Sequence, residues 1–180
     1  MRMKMTVRFI LALAALGACA ERDAKHSARE PAGTTEITMT PDALRSMIAA
    51  EGSTATVNQL DANTAEANLW WQVLDHIAAG EDQWLELVAD LKAGVDAGAA
   101  ESLVISVSRA LTSNPAGVLA LMPNVYLPTE ICSMNEVEPT EEEVATYYAD
   151  AIRAVESVTN PAFQGVKTDC LRSLRSNSFG

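Results

Sequence analysis

Two histidines and three cysteines are the residues of this chain best suited to nucleophilic, proton-transfer or metal chemistry, and their spacing offers little of it. His26 lies in a charged, aperiodic stretch. His76 stands one residue off an apolar helical stripe, with Asp75, Glu81 and Asp82 near it in sequence. A nucleophile needs a base within hydrogen-bond reach, so any Ser-His-Asp or Cys-His arrangement would have to use His76. The chain contains no HExxH, GxSxG, P-loop, GxGxxG or CxxC, the spacings that such chemistries require. A lone histidine near a helix C-terminus, where a cation is favoured, reads as a solvated or capping residue rather than a ligand or base. Carboxylates are the remaining catalytic option. They gather at helix starts (Glu81 and Asp82; Asp96; Glu141, Glu142 and Glu143), where compensation of the helix dipole accounts for them. The expectation is no catalytic residue, no metal, no cofactor and no evident small-molecule ligand.

The cysteines say more about compartment than about reaction. Cys19 closes the segment MRMKMTVRFILALAALGACA, in which Arg2, Lys4 and Arg8 precede an apolar run from Phe9 to Leu16. That run is too short for a spanning helix, which needs about 20 apolar residues, and has the build of a signal peptide over residues 1–18. Leu16-Gly17-Ala18-Cys19 resembles the lipobox of bacterial lipoproteins. The resemblance covers the signal alone. It implies cleavage before Cys19 and lipid on that sulfur. Because Ala20 rather than Asp follows, it also implies delivery to the periplasmic side of the outer membrane. Ala18-Cys19-Ala20 also fits ordinary signal cleavage after Ala20, which would give a soluble periplasmic or secreted protein. Either way, Cys132 and Cys170 remain as an even pair in an oxidising compartment, and a disulfide is expected between them. Two free buried thiols fit that compartment less well, and a metal site less still, since neither cysteine has CxxC spacing or a nearby histidine. Closing such a loop stabilises a fold by roughly 4 kcal/mol in the chain-entropy model.

The elements that must position these residues are helical. Between residues 69 and 122, Leu69, Val73 and Ile77 form one stripe with Trp70 and Leu74 beside it. Trp84, Leu87, Val88 and Leu91 form a second, and Leu103, Val104, Val107 and Leu111 a third. Spacings of three and four put each set on one face of a helix that must be buried. Gly80, Gly94 and Asn114-Pro115 separate the stripes, predicting three or four short helices folded back on one another. Trp70 and Trp71 point about 100° apart on a helix, so one is expected in the core and the other over a neighbour or a groove. Upstream, residues 19–39 read as a flexible tether. Thr40-Pro41-Asp42 opens a helix that carries Leu44, Met47 and Ile48 and stops at Gly52. Ser53 is expected to cap a second helix with Val57 and Leu60 inward, followed by a turn at residues 61–64. Downstream, Asn114-Pro115 starts a helix with Val118, Leu121 and Met122. Thr140 and Glu143 form a capping box for a helix with Val144, Tyr147, Tyr148, Ala151, Ile152 and Val155 inward. Asn160-Pro161 opens the last helix, with Phe163, Val166, Cys170, Leu171 and Leu174 inward and a frayed tail after Arg175. The expected fold is an all-α, compact single-domain bundle of about six to eight short helices, with one disulfide, over residues 40–180.

Charge narrows the partners. The chain carries a net charge of −11. The first 18 residues hold three cations and no acid, so the rest carries −14. A protein this acidic repels phosphate backbones, which excludes nucleic acid and favours a basic protein. The long stretch 123–137, with Pro123 and Pro128, breaks the helical pattern and is pinned by Cys132. It carries Tyr126, Leu127, Ile131 and Met134, which no helical face claims, and Glu136 and Glu138 follow. A loop of that length in a compact domain is pinned or functional. These six residues form the expected partner-binding surface; the competing reading turns the apolar ones inward. The function expected is that of a non-enzymatic envelope lipoprotein binding a protein, of the immunity or inhibitor class against a secreted toxin or envelope hydrolase. A structural or assembly lipoprotein, and a carboxylate-dependent hydrolase, are the alternatives.

Overall fold

The computed structural model describes residues 38–62 and 68–178. The signal segment, Cys19, His26 and the far end of the turn expected at residues 61–64 lie outside the described residues. Within them the protein is all-α, with no strand: α1 (Pro41–Glu51), α2 (Ser53–Asp61), α3 (Leu69–Ala78), α4 (Asp82–Leu85), α5 (Val88–Lys92), α6 (Ala97–Ser113), α7 (Pro115–Ala120), α8 (Pro128–Ile131), α9 (Glu141–Ser157) and α10 (Gln164–Asn177), the last entered through a 3-10 turn at Pro161–Phe163.

Short polar side chains set the helix starts. Thr40, Asn68, Asp96, Asn114 and Thr140 each accept a backbone N–H from the first turn of α1, α3, α6, α7 and α9 respectively. Gly52 ends α1 at φ +83°, where a side chain would be strained, and its carbonyl already accepts from Thr56. The cap of α2 is therefore Gly52, and Ser53 is the first helical residue rather than the cap. Met39 also departs from the expected tether. It is buried, and its N–H donates to Gln72 Oε1 at 3.3 Å.

The stripes pack inward as their spacing requires: Leu69, Val73, Ile77, Trp84, Val88, Leu91, Leu103, Val107 and Leu111 all belong to one core. The second stripe is divided between α4 and α5. A straight helix would spread Trp84, Leu85, Leu87, Val88 and Leu91 over roughly 160° of arc, too wide for one buried face. The break lets all five reach the interior. Together with the short α8, this break brings the described helices to ten, against about six to eight expected. At the other end, α10 runs on past Arg175 to Asn177, held by buried Leu174 and by the Arg175–Glu156 ion pair at 2.6 Å.

Helix α6 is the hub, and α3, α7, α8 and α9 all pack on it. It runs parallel to α3. Near their starts Trp70 Nε1 donates to Ser102 Oγ at 3.2 Å, and beyond their ends Asn114 Nδ2 donates to the Gly80 carbonyl at 2.8 Å. From α9, Tyr147 Oη donates to the Ser108 carbonyl at 3.2 Å.

Where α5 meets α2 the backbones nearly touch. A Cβ on Gly94 would fall 2.3 Å from the Ser53 carbonyl carbon and 2.5 Å from its oxygen, neither of which can yield as a flexible side chain would. Gly94→Ala is expected to cost about 1–3 kcal/mol through overpacking. Gly165→Ala, whose Cβ would meet open space in a helix, is expected to gain about 0.5–1 kcal/mol. Chemical denaturation of the two variants checks both signs.

Candidate functional site

The segment 123–140 is assembled from both ends toward Cys132. Pro128 occupies the first position of α8, and Glu130 Oε2 accepts the Leu127 N–H at 2.6 Å, so the expected loop contains one helical turn. The disulfide Cys132–Cys170 follows at once, joining residues 38 apart with both cysteines fully buried. Beyond it, Asn135 Nδ2 donates to Ser108 Oγ at 2.6 Å and to the Glu130 carbonyl at 2.9 Å. The Met134 N–H donates to Tyr148 Oη at 3.1 Å. Tyr147 Oη donates to the Ser133 carbonyl at 3.1 Å as well as to that of Ser108. Covalent and hydrogen-bonded ties thus fix the backbone from 130 to 135 to α6, α9 and α10.

This anchoring corrects part of the expected partner surface. Tyr126 is only 2% exposed and Ile131 is fully buried; both are core. Their apolar area leaves water through packing that no helical period signals. The Lys92 ammonium lies 3.7 Å from the centre of the Tyr126 ring, and its Nζ donates to the Val125 carbonyl at 2.5 Å, near Glu130 at 3.8 Å. Burial, and then the Glu130 charge, push the Tyr126 phenol far above its ordinary range. Met134 is half-buried against the core. Leu127 is exposed, but it lines a groove of about 650 Å³ between α8 and α10, with Asp169, Arg172 and Ser173.

Glu136 and Glu138 belong to a separate cleft of about 390 Å³ that shares no lining residue with that groove. Arg109 Nε and Nη2 both donate to the Glu136 carboxylate, a fork geometry that suits guanidinium. This bond is the largest influence holding the guanidinium pKa above its ordinary value, against partial burial, with the charges of Glu136 and then Asp75 adding to it. Met134, Val137, Pro139 and Glu143 complete the lining. Val137 is 71% exposed, and Glu138 holds φ +51°, a left-handed conformation disfavoured for a glutamate. Glu143 accepts both the N–H and the hydroxyl proton of Thr140, each at 2.8 Å, which keeps its carboxyl below the usual glutamate range.

Sequence reasoning missed Arg109 and Val137. A cation 27 residues from its carboxylate leaves no local signal, whereas an apolar residue between two glutamates could have been counted. His76 has structural work: its Nδ1 lies 2.7 Å from Glu81 Oε1, and its ring stacks on Trp84 at 4.7 Å and 2°. Of the adjacent tryptophans, Trp70 is core and Trp71 is 55% exposed. No protein-family model, curated protein or solved structure matches this chain.

Two outcomes follow from this geometry. Tyr126→Ala is expected to cost roughly 3–5 kcal/mol in thermal or chemical unfolding, as removal of a core aromatic does. An unchanged melting temperature would return Tyr126 to the surface. Glu143 has a folded pKa below its unfolded one, so its contribution is complete above the ordinary glutamate range and is lost as pH falls through the folded value. Glu143→Gln should therefore flatten the acid limb of the stability–pH curve, leaving the neutral region parallel to wild type.

Proposed function

We propose that this chain is a non-enzymatic lipoprotein of the cell envelope, anchored through Cys19 on the periplasmic side of the outer membrane, that binds a basic protein partner. An immunity or inhibitor role against a secreted toxin or envelope hydrolase suits it best. The observation that carries the reading is a rigid, disulfide-held segment ending in exposed Val137 and the acids from Glu136 to Glu143, on a chain of net charge −11. Fixed backbone lowers the ordering cost of association. An acidic surface accelerates encounter with a cationic cleft and disfavours acidic competitors. His76, the histidine best placed for chemistry, is engaged by Trp84 and Glu81. The compartment rests on the lipobox-like LGAC and on a disulfide suited to an oxidising environment.

Fractionation of cells making the full chain tests both parts. Wild type is expected in the outer-membrane fraction and Cys19→Ser in the soluble one. A basic protein should co-purify with the wild type at about 50 mM salt and be largely released at about 500 mM, because exposed charges are screened over a few ångströms there. Equal retention at both salts overturns the electrostatic reading. Hydrolysis of an envelope polymer by the pure protein, abolished by carboxylate substitution, overturns the non-enzymatic one.

A further inference from the structure

Packing on α6 leaves one strip of that helix bare. Its core face carries Leu103, Val107, Ala110 and Leu111; Ser102 meets α3, and Ser108 meets the Asn135 side chain and Tyr147 of α9. Between those two contacts, at i and i+4, lie Ile105, partly exposed, and Arg109, exposed. On α3 the facing edge carries Trp71 and Asp75, also at i and i+4 and both exposed. The two helices are parallel and pinned together at Trp70–Ser102 and at Gly80–Asn114. Asp75 and Arg109 therefore lie about midway between the pins, within electrostatic range of each other. One turn back along each helix, Trp71 and Ile105 share the same rim. One step outward, the Arg109–Glu136 pair leads to Val137 and the 390 Å³ cleft.

We infer that this strip, from Trp71 and Ile105 across Arg109 to the Val137–Glu138 cleft, is the docking face for a protein that presents a lysine or arginine beside an apolar side chain. The inference rests on the protein-binding reading above and gives it a location. Trp71 and Val137 are two of the three large apolar side chains most exposed in the described residues. Tryptophan at a contact centre contributes more than its share of binding free energy. Charge chooses the occupant. Asp75, Glu136, Glu138 and Glu143 outnumber the single cation Arg109, so the face is negative. A second copy of the chain would bring a like-charged surface against it, and an anionic lipid surface would be repelled in the same way. A basic side chain can lay its aliphatic stem along Met134, Val137 and Pro139 and set its charge near Glu138 and Glu143.

Site-specific photocrosslinking of the full chain in its own envelope tests the face. The probe, p-benzoylphenylalanine, is placed singly at Trp71, Ile105 and Val137, with Ala55 on α2 and Ser176 on α10 as distant exposed controls. One discrete heterologous protein adduct from the first three positions is expected, with none from the controls. The crosslinked peptide should contain lysine or arginine, and the yield should fall roughly tenfold with Glu138→Lys at unchanged melting temperature. Dimers of the chain, or lipid adducts, at positions 71, 105 and 137 overturn the inference. A protein adduct confined to position 176 also overturns it, moving the interface to the Leu127 groove while the protein-binding reading stands. No protein adduct from any position overturns both.

Discussion

The fold is assembled around α6. A helix of 17 residues has room on its surface for only a few neighbours, and here four helices claim it. The side chains at those contacts are matched to their distances. The hydroxyls of Ser102 and Ser108 hydrogen-bond to neighbouring elements, while Leu103, Val107 and Leu111 fill the centre. Serines inside a helix compete for backbone bonds and lower its intrinsic propensity. Their presence on α6 is explained by what they hold in place. The parallel run of α3 beside α6 follows too, because the α4–α5 pair must carry the chain back from the end of one helix to the start of the other.

Most of this was legible in the sequence, for a local reason. Helix starts are written in two to four adjacent residues, and Thr40-Pro41, Asp96, Asn114-Pro115 and Thr140…Glu143 all act as their types dictate. Apolar stripes at spacings of three and four are local as well. The disulfide was legible through parity and compartment rather than geometry. The departures are instructive because each involves a competition that period alone does not encode. Ser53 is a good cap, but Gly52 already has the backbone conformation to end one helix and begin the next. The Trp84 stripe has helical period, but too wide an arc for one straight element.

At the candidate site the ingredients were legible, but the burial of Tyr126 and Ile131 was not. Length, two prolines and a cysteine set 123–137 apart from the helical pattern, and the Cys132–Cys170 disulfide does pin it. Which of its apolar residues face water depends on Lys92, Ser108, Tyr147 and Tyr148, between 14 and 33 residues away along the chain. Tyr126 and Ile131 are drawn inward by partners that no window on the sequence contains. Exposed Val137 and Glu138, with half-buried Glu136, gain their neighbourhood from Arg109 on α6. A surface of this kind is written in the tertiary fold, and the sequence carries only its ingredients.

The three tryptophans occupy three distinct environments: Trp70 is buried and hydrogen-bonded to Ser102, Trp84 is buried under the His76 ring, and Trp71 stands in water. In optical terms they are separable. An aqueous quencher reaches Trp71 and spares the other two, and emission from an indole in water lies to the red of that from an apolar interior. The His76 ring stacked on Trp84 sets that indole apart from Trp70. The molecule thus carries a native reporter on its open strip, distinguishable without any label from the one that reports its core.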